Sequence, residues 1–270
     1  MRPDPQLRKL DIELPASPPA TVRLITLLAK DDLAVSELAE VIEGDMALAA
    51  AVVRTVNSAM FGVLRRVETV AEAVVYLGMR EVAGLTLELG LRSRFPPTPA
   101  MTHIWEAARR RGLLMGRAAA SLGLHAWRAQ SAGLFAESGQ AVLCVHAPET
   151  YPTMLARHPG QMPALLADEA TAFGLTHDVL GASLCRAWGL AGDVAEYVRE
   201  RPHDTARWAQ RGQPVRALLA LGAVADALMT GHDVDAMAEQ VAAGAGLKPA
   251  VLAQTLRQHA ERLQGSSDSD

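Results

Sequence analysis

The chain has 270 residues, 50% of them hydrophobic and 21% charged, with a formal net charge of −4. That length and apolar content can bury one large core or two smaller ones, and the negative balance argues against the broad electropositive face of a protein whose main partner is nucleic acid. No run approaches the ~18–20 uncharged apolar residues of a membrane helix, and Met1-Arg2-Pro3-Asp4-Pro5 has no apolar stretch behind its charge, so a cytoplasmic location is expected.

Apolar residues recur at spacings of three and four with few β-branched alternations, which predicts helix nearly throughout and no strand. After an N-terminal extension over 1–13, helices are predicted over 20–29 and 36–43. The next, from Asp45 to Val56, carries Met46, Ala49, Val52, Val53 and Val56 as one apolar stripe, with Asp45 placed to cap it. Thr69 and Glu72 have the spacing of a capping box that opens a helix over 70–77, and Gly78 is placed to end it. A helix over 80–91 follows. Phe95-Pro96-Pro97-Thr98-Pro99 then marks a boundary, because three prolines cannot continue a helix. Beyond it, helices are predicted over 103–122, 126–136, 163–173, 177–188, 193–200, 214–229, 234–243 and 249–263. The polar end, 265–270, reads as a disordered tail. Cys144 and Cys185 lie in apolar surroundings without Cys-x-x-Cys spacing and read as small core residues.

Several motifs arrive in order: Leu14-Pro15 with Pro18-Pro19, Ser36 to Ile42, Asp45-Met46-Ala47-Leu48, Val56-Asn57-Ser58-Ala59-Met60-Phe61-Gly62, and Val70 to Gly78. This series resembles the signature of the HDOD family, whose members look like HD-superfamily metal-dependent phosphohydrolases stripped of their metal site and used in bacterial signalling. Further on, Gly133-Leu134-Phe135-Ala136-Glu137-Ser138-Gly139-Gln140 resembles the HD segment Gly-Leu-Leu-His-Asp-Ile-Gly-Lys. Ala136 stands where the metal-binding His belongs, Glu137 where the Asp belongs and Gln140 where the Lys belongs. The early His expected shortly after Trp105 is missing, since the chain reads Glu106-Ala107-Ala108. His203 lies near the downstream His, and Asp226 matches the last-helix Asp. The resemblance implies an all-α fold with an N-terminal helical lobe (14–95) packed on a degenerate HD-like helical bundle (100–230), then a C-terminal helical extension (231–264). It implies no catalytic residue, no metal and no cofactor.

An HD phosphohydrolase gathers His and carboxylate ligands around cations that make hydroxide available at neutral pH. Two or three scattered survivors do not rebuild that site. The alternative is a phosphodiesterase with a displaced metal site drawn from His203, Asp226, Glu137 and His125. Of the three His-Asp pairs, His177-Asp178 and His232-Asp233 read as helix-start caps. His203-Asp204, between Arg201 and Arg207, is open between an ion-paired loop and a pocket.

Asp45 reads as an N-cap, and Asn57-Ser58 as local side-chain to backbone bonding at a helix end. The competing reading has Asn57 join Arg54, Arg65 and Arg66 in holding an anion or a partner. Arg109-Arg110-Arg111 fans over ~200° of helix and reads as a solvated face with Arg110 outward, then as a docking surface, and only third as a nucleic-acid contact. The expected function is non-catalytic signalling or regulation through a protein partner or a small nucleotide. No receiver, kinase, cyclase or DNA-binding domain is recognisable in the 270 residues, so the partner is expected in trans. Self-association is left open.

Overall fold

The computed structural model describes residues 12–28, 33–58, 61, 63 and 65–265, and every regular element among them is a helix. They divide into two compact units, one of residues 17–94 with 257–265 and one of residues 12–16 with 95–256. None of the described helices is long and apolar enough to cross a membrane. Two of the signature positions, Ala59 and Gly62, and the tail beyond residue 265 lie outside the described residues.

The first unit contains α1 (Pro19–Leu27), α2 (Val35–Glu43), α3 (Met46–Val56), α4 (Val70–Leu77) and α5 (Met79–Arg92). Its core is built from side chains with no exposure, including Leu24, Leu38, Ile42, Val52, Val56, Leu87 and Leu91. Each such burial contributes about 1.5–3 kcal/mol relative to leaving the side chain in water. Asp45 caps α3, its Oδ1 accepting from the Ala47 and Leu48 amides at 3.1 Å each. Thr69 caps α4 by accepting from the Glu72 amide at 3.1 Å, while the Glu72 carboxylate accepts from the Glu68 amide at 2.8 Å, one residue earlier than a capping box requires. Gly78, at φ 87°, ends α4 and opens α5 in a backbone region that other residues rarely adopt.

The apolar stripe of α3 departs from expectation. Leu48, Val52 and Val56 face the core, whereas Met46 is 84% exposed. The i, i+4, i+8 row beginning at Leu48 packs inward and turns the Met46-Ala49-Val53 row outward by roughly half a helical circumference or less.

The second unit comprises α6 (Pro99–Ser121), α7 (Ala126–Phe135), α8 (Ser138–His146), α9 (Tyr151–Arg157), α10 (Met162–Phe173), α11 (His177–Ala187), α12 (Gly192–Glu200), α13 (Thr205–Trp208), α14 (Gln213–Thr230), α15 (Val234–Val241) and the first part of α16 (Pro249–Gly265). Sequence periodicity does not announce α8, α9 or α13. The physical reason is plainest for α8, where every residue from Ser138 to Cys144 is buried, so no polar face exists to set a 3.6-residue rhythm.

Glycines bring the helices of this unit into backbone contact. A Cβ on Gly133 would stand 2.8 Å from the Gly112 amide nitrogen, and one on Gly139 would run into the carbonyl oxygen of His177. Thus α7 seats on α6, and α8 on α11. Trp188 is 1% exposed, stacks edge-on against Phe135 with centroids 5.6 Å apart, and donates its indole N–H to the Pro15 carbonyl at 2.9 Å. That bond gives the opening Leu14-Pro15 motif a structural role. Cys144 and Cys185 are buried free thiols. Burial pushes both up, Cys144 to about 11, so neither is an activated nucleophile.

Candidate functional site

Four charged side chains from distant parts of the chain converge inside the second unit. Glu137 sits at the junction of α7 and α8, Asp226 on α14, Arg111 on α6, and Arg201 just past the end of α12. Arg111 donates through Nη1 to Glu137 Oε2 at 2.5 Å and through Nε to Asp226 Oδ1 at 2.6 Å. Arg201 donates to Asp226 Oδ2 through Nη2 at 3.0 Å and Nε at 3.3 Å, and its Nη2 lies 3.2 Å from Glu137 Oε1. Each carboxylate is therefore shared by both guanidiniums, and two negative charges offset two positive ones.

Burial makes that balance necessary. Arg111 is 4% and Glu137 8% exposed, and a lone charge so far from water would be costly. Burial works against the Arg111 charge, yet Glu137 and Asp226 beside it raise its affinity for the proton above that of an ordinary guanidinium. For Asp226, burial alone would raise the carboxyl, but Arg201 and Arg111 outweigh it and hold the group below the usual carboxylate range. Fully buried Tyr197 closes the neighbourhood, its hydroxyl directed at Met115 Sδ at 3.7 Å.

A hydrolytic metal does not fit this donor set. Ala136, 3% exposed, offers no ligand atom, and neither does half-buried Ala107. Gln140 is buried and uncharged. The two surviving acids, Glu137 and Asp226, are together as their positions implied, but a divalent cation between them would meet two guanidiniums already bound there. Among the described residues no three His, Cys, Asp or Glu side chains are grouped so as to hold a metal ion.

The other members of the displaced-site alternative are engaged elsewhere. His203 Nε2 lies 3.0 Å from Asp178 Oδ2, and His125 caps α7, its Nδ1 accepting from the Arg128 amide at 3.4 Å. Asp178 is not the helix-start cap that its sequence context predicts. It has no exposure, and Arg199 donates to the same carboxylate oxygen as His203. The loop of His203-Asp204 is ion-paired, with Asp204 capping α13 through the Arg207 amide at 2.8 Å and Arg207 Nε 2.5 Å from Glu200. Asp233 caps α15 as its spacing predicts, accepting from the Asp235 and Ala236 amides at 3.0 Å.

A second buried cluster centres on Glu169 of α10, which has no exposure. Its carboxylate accepts from the Tyr151 hydroxyl at 2.6 Å, from the His177 amide at 2.9 Å and from His177 Nδ1 at 2.8 Å. An acid at the first amide of α11 satisfies an orphan donor and meets the positive end of the helix dipole. Burial, followed by the Glu169 charge, pushes the Tyr151 phenol far above its ordinary range and keeps it a donor.

In the first unit Asn57 is spent on the backbone. Its amide donates to the Val53 and Val67 carbonyls at 2.9 and 2.7 Å, and its oxygen accepts from the Val67 amide at 2.8 Å. Ser58 donates to the Thr55 carbonyl at 2.6 Å. The signature pair clamps the chain after α3, and little of Asn57 is left for a ligand. Arg54, Arg65 and Arg66 are exposed, and Arg54 and Arg66 line an open groove of ≈1090 Å³. Arg110 is also exposed, but in the other unit, so it does not join them in a site within the first unit.

Sequence reasoning missed Arg111, Arg201, Glu169 and Asp178 as buried ionic groups. For Arg111 a signal was present, because it falls three residues after Ala108 and four before Met115 on the apolar face that includes Trp105 and Gly112.

A family model described as HDOD domain matches residues 14–203. A curated protein of Treponema pallidum (strain Nichols), described only as uncharacterized, is 25% identical over 200 residues, which is 69% of this chain and 37% of that protein. The chain thus spans little more than a third of that relative. A solved chain from Shewanella amazonensis SB2B, provisionally described as a phosphohydrolase, superposes with a TM-score of 0.71 at 20% identity, covering 98% of this chain and 99% of that one. An HDOD domain protein of unknown function from Geobacter sulfurreducens gives 0.70 at 20% identity, over 97% and 95%. A chain from Marinobacter aquaeolei VT8, provisionally described as a signal transduction protein, gives 0.71 at 22% identity, over 98% of this chain and 61% of that one. At these identities the solved structures establish a shared fold.

Proposed function

This chain belongs to the HDOD family, and from that membership we propose that it is a regulatory signalling protein that acts by binding a partner and not by hydrolysis. The observation that carries the proposal is the pairing of Arg111 and Arg201 with Glu137 and Asp226. In an HD hydrolase a metal polarises a phosphoryl oxygen and lowers the pKa of the attacking water. Here the acids Glu137 and Asp226 are neutralised by guanidiniums, which remain protonated and cannot accept a proton from water.

The side chains of this region instead join α6, α12, α14 and the α7–α8 junction into a fixed support. A support of this kind leaves function to exposed surfaces, where partners are read by shape and charge. The description of the Marinobacter aquaeolei VT8 protein as a signal transduction protein accords with that reading. Hydrolysis assays on cyclic mononucleotides and cyclic dinucleotides, with Mg²⁺ or Mn²⁺ supplied, test it. No turnover above a protein-free blank is expected. Metal-dependent turnover that disappears in Asp226→Ala would overturn the proposal and establish a phosphodiesterase.

A further inference from the structure

We propose that the outward face of α3 is a docking groove for one amphipathic helix of a partner protein, with a basic residue at one end of that helix and an acidic residue about two turns away. The inference rests on the regulatory reading and names the kind of partner.

The core takes one side of α3, the row Leu48, Val52 and Val56. Met46, Ala49, Ala50 and Val53 recur at i, i+3, i+4 and i+7 on another side, the spacing with which one helix meets another. Met46 is 84% exposed, Ala50 is exposed, and Ala49 and Val53 are half-buried. Ala49, Ala50 and Val53 form part of the lining of the ≈1090 Å³ groove, together with residues 66–70. Two adjacent alanines let the backbone of an incoming helix approach closely, and Met46 supplies an adaptable apolar contact at the near end.

Charge gives the groove a direction. Glu43, the last residue of α2, lies at the end where α3 begins, and Arg54 lies near the end where α3 stops, joined on the lining by Arg66. Among the described residues none of these three side chains makes an ion pair. From Met46 to Arg54 the helix rises about 12 Å at ~1.5 Å per residue. A bound helix would place its basic residue near Glu43 and its acidic residue near Arg54, and complementary ends of this kind fix orientation and suppress wrong partners. Glu68, which also lines the groove, adds a repulsive element against a polyanion. A nucleotide phosphate would use the arginines but leave the apolar stripe in water. A second copy presenting the same concave face would leave the groove unfilled.

Photo-crosslinking in the cells that make the protein tests this with the full chain. p-Benzoylphenylalanine is placed at Ala50, and at Arg110 as a control in the other unit, and the crosslinked segment is sequenced by mass spectrometry. The expected capture at Ala50 is a segment with helical apolar periodicity and opposite charges seven or eight residues apart. A synthetic peptide of that segment should bind the wild-type chain in fluorescence anisotropy and weaken by about tenfold or more with Arg54→Glu. Changing the peptide's acidic residue to Lys should restore part of the loss. Circular dichroism on Arg54→Glu, an exposed position, checks that the fold is kept. Capture of the chain's own copy, of a nucleotide, or of nothing above the Arg110 control would overturn the groove. Partner capture at Arg110 alone would overturn the groove but spare the regulatory reading, whereas metal-dependent turnover removes the regulatory reading whatever α3 binds.

Discussion

Arg111 Nη1 and Glu137 Oε2 meet across 2.5 Å inside the second unit, tying α6, the longest helix of that unit, to the junction of α7 and α8. The same guanidinium holds Asp226 at 2.6 Å. Removing it leaves two acids with only Arg201 between them.

Arg111→Met is therefore expected to destabilise the chain by about 3–5 kcal/mol, the range for breaking a buried ion pair by deleting one partner. Replacing the whole network, with Arg111→Met, Arg201→Met, Glu137→Leu and Asp226→Leu together, should recover most of that loss, because no uncompensated charge remains. Urea denaturation of the two variants and the wild type checks the ordering.

Acid should weaken the fold through Asp226. Its carboxyl is held below the usual carboxylate range in the fold and returns to roughly 3.9 on unfolding. Between those two values the unfolded chain binds more protons, so the contribution is fully present above about pH 4 and is lost as pH falls through the folded value. Asp226→Asn should lower stability at neutral pH and flatten this acid limb by up to about one proton. Stability measured by urea titration from pH 7 to 2 reads both effects.

The Glu169 cluster predicts a graded series. Glu169→Ala leaves the Tyr151 hydroxyl and the His177 amide and ring without their acceptor, and should cost about 3 kcal/mol or more. Tyr151→Phe removes one donor from an acid that keeps its others and should cost about 1–2 kcal/mol. Thermal melts that reversed this order would contradict the central placing of Glu169.

Close approach of α8 to α11 makes Gly139 intolerant of any side chain. In Gly139→Ala the added methyl would collide with the backbone carbonyl of His177, which cannot rotate aside, so a loss of about 3 kcal/mol or more is expected. Gly192→Ala, where an added Cβ meets nothing within 4 Å, is the control and should leave the melting temperature almost unchanged.

Local signals in the sequence were read well where a single turn of chain decides the outcome. Asp45, Asp233, Thr69 and Gly78 each do what their neighbours within four residues require. Glu137 and the distant Asp226, both bonded by Arg111, were also legible as candidates for one site. Their present partners were not, because Arg111 and Arg201 reach them across separations of 26, 115 and 25 residues. In the run Arg109-Arg110-Arg111, successive side chains point ~100° apart, and the third alone shares the apolar face of Ala108 and Met115, a local signal that it turns inward but not of what it meets there. Asp178 hid for the same reason: a first-turn acid looks like a cap until Arg199 and His203 are brought to it by the fold. The burial of α8 on all sides erased the rhythm by which a helix is recognised.

The central claim is that Arg111 and Arg201 hold the acids that a hydrolase would give to metal. Its most direct test is the metal content of the chain purified without chelator and again after dialysis against Mn²⁺, by inductively coupled plasma mass spectrometry. Melting curves with and without EDTA accompany each sample. Far less than one metal per chain, and identical melting temperatures, are the predicted results. One metal or more per chain, lost together with stability on adding EDTA and absent from Asp226→Ala, would contradict it.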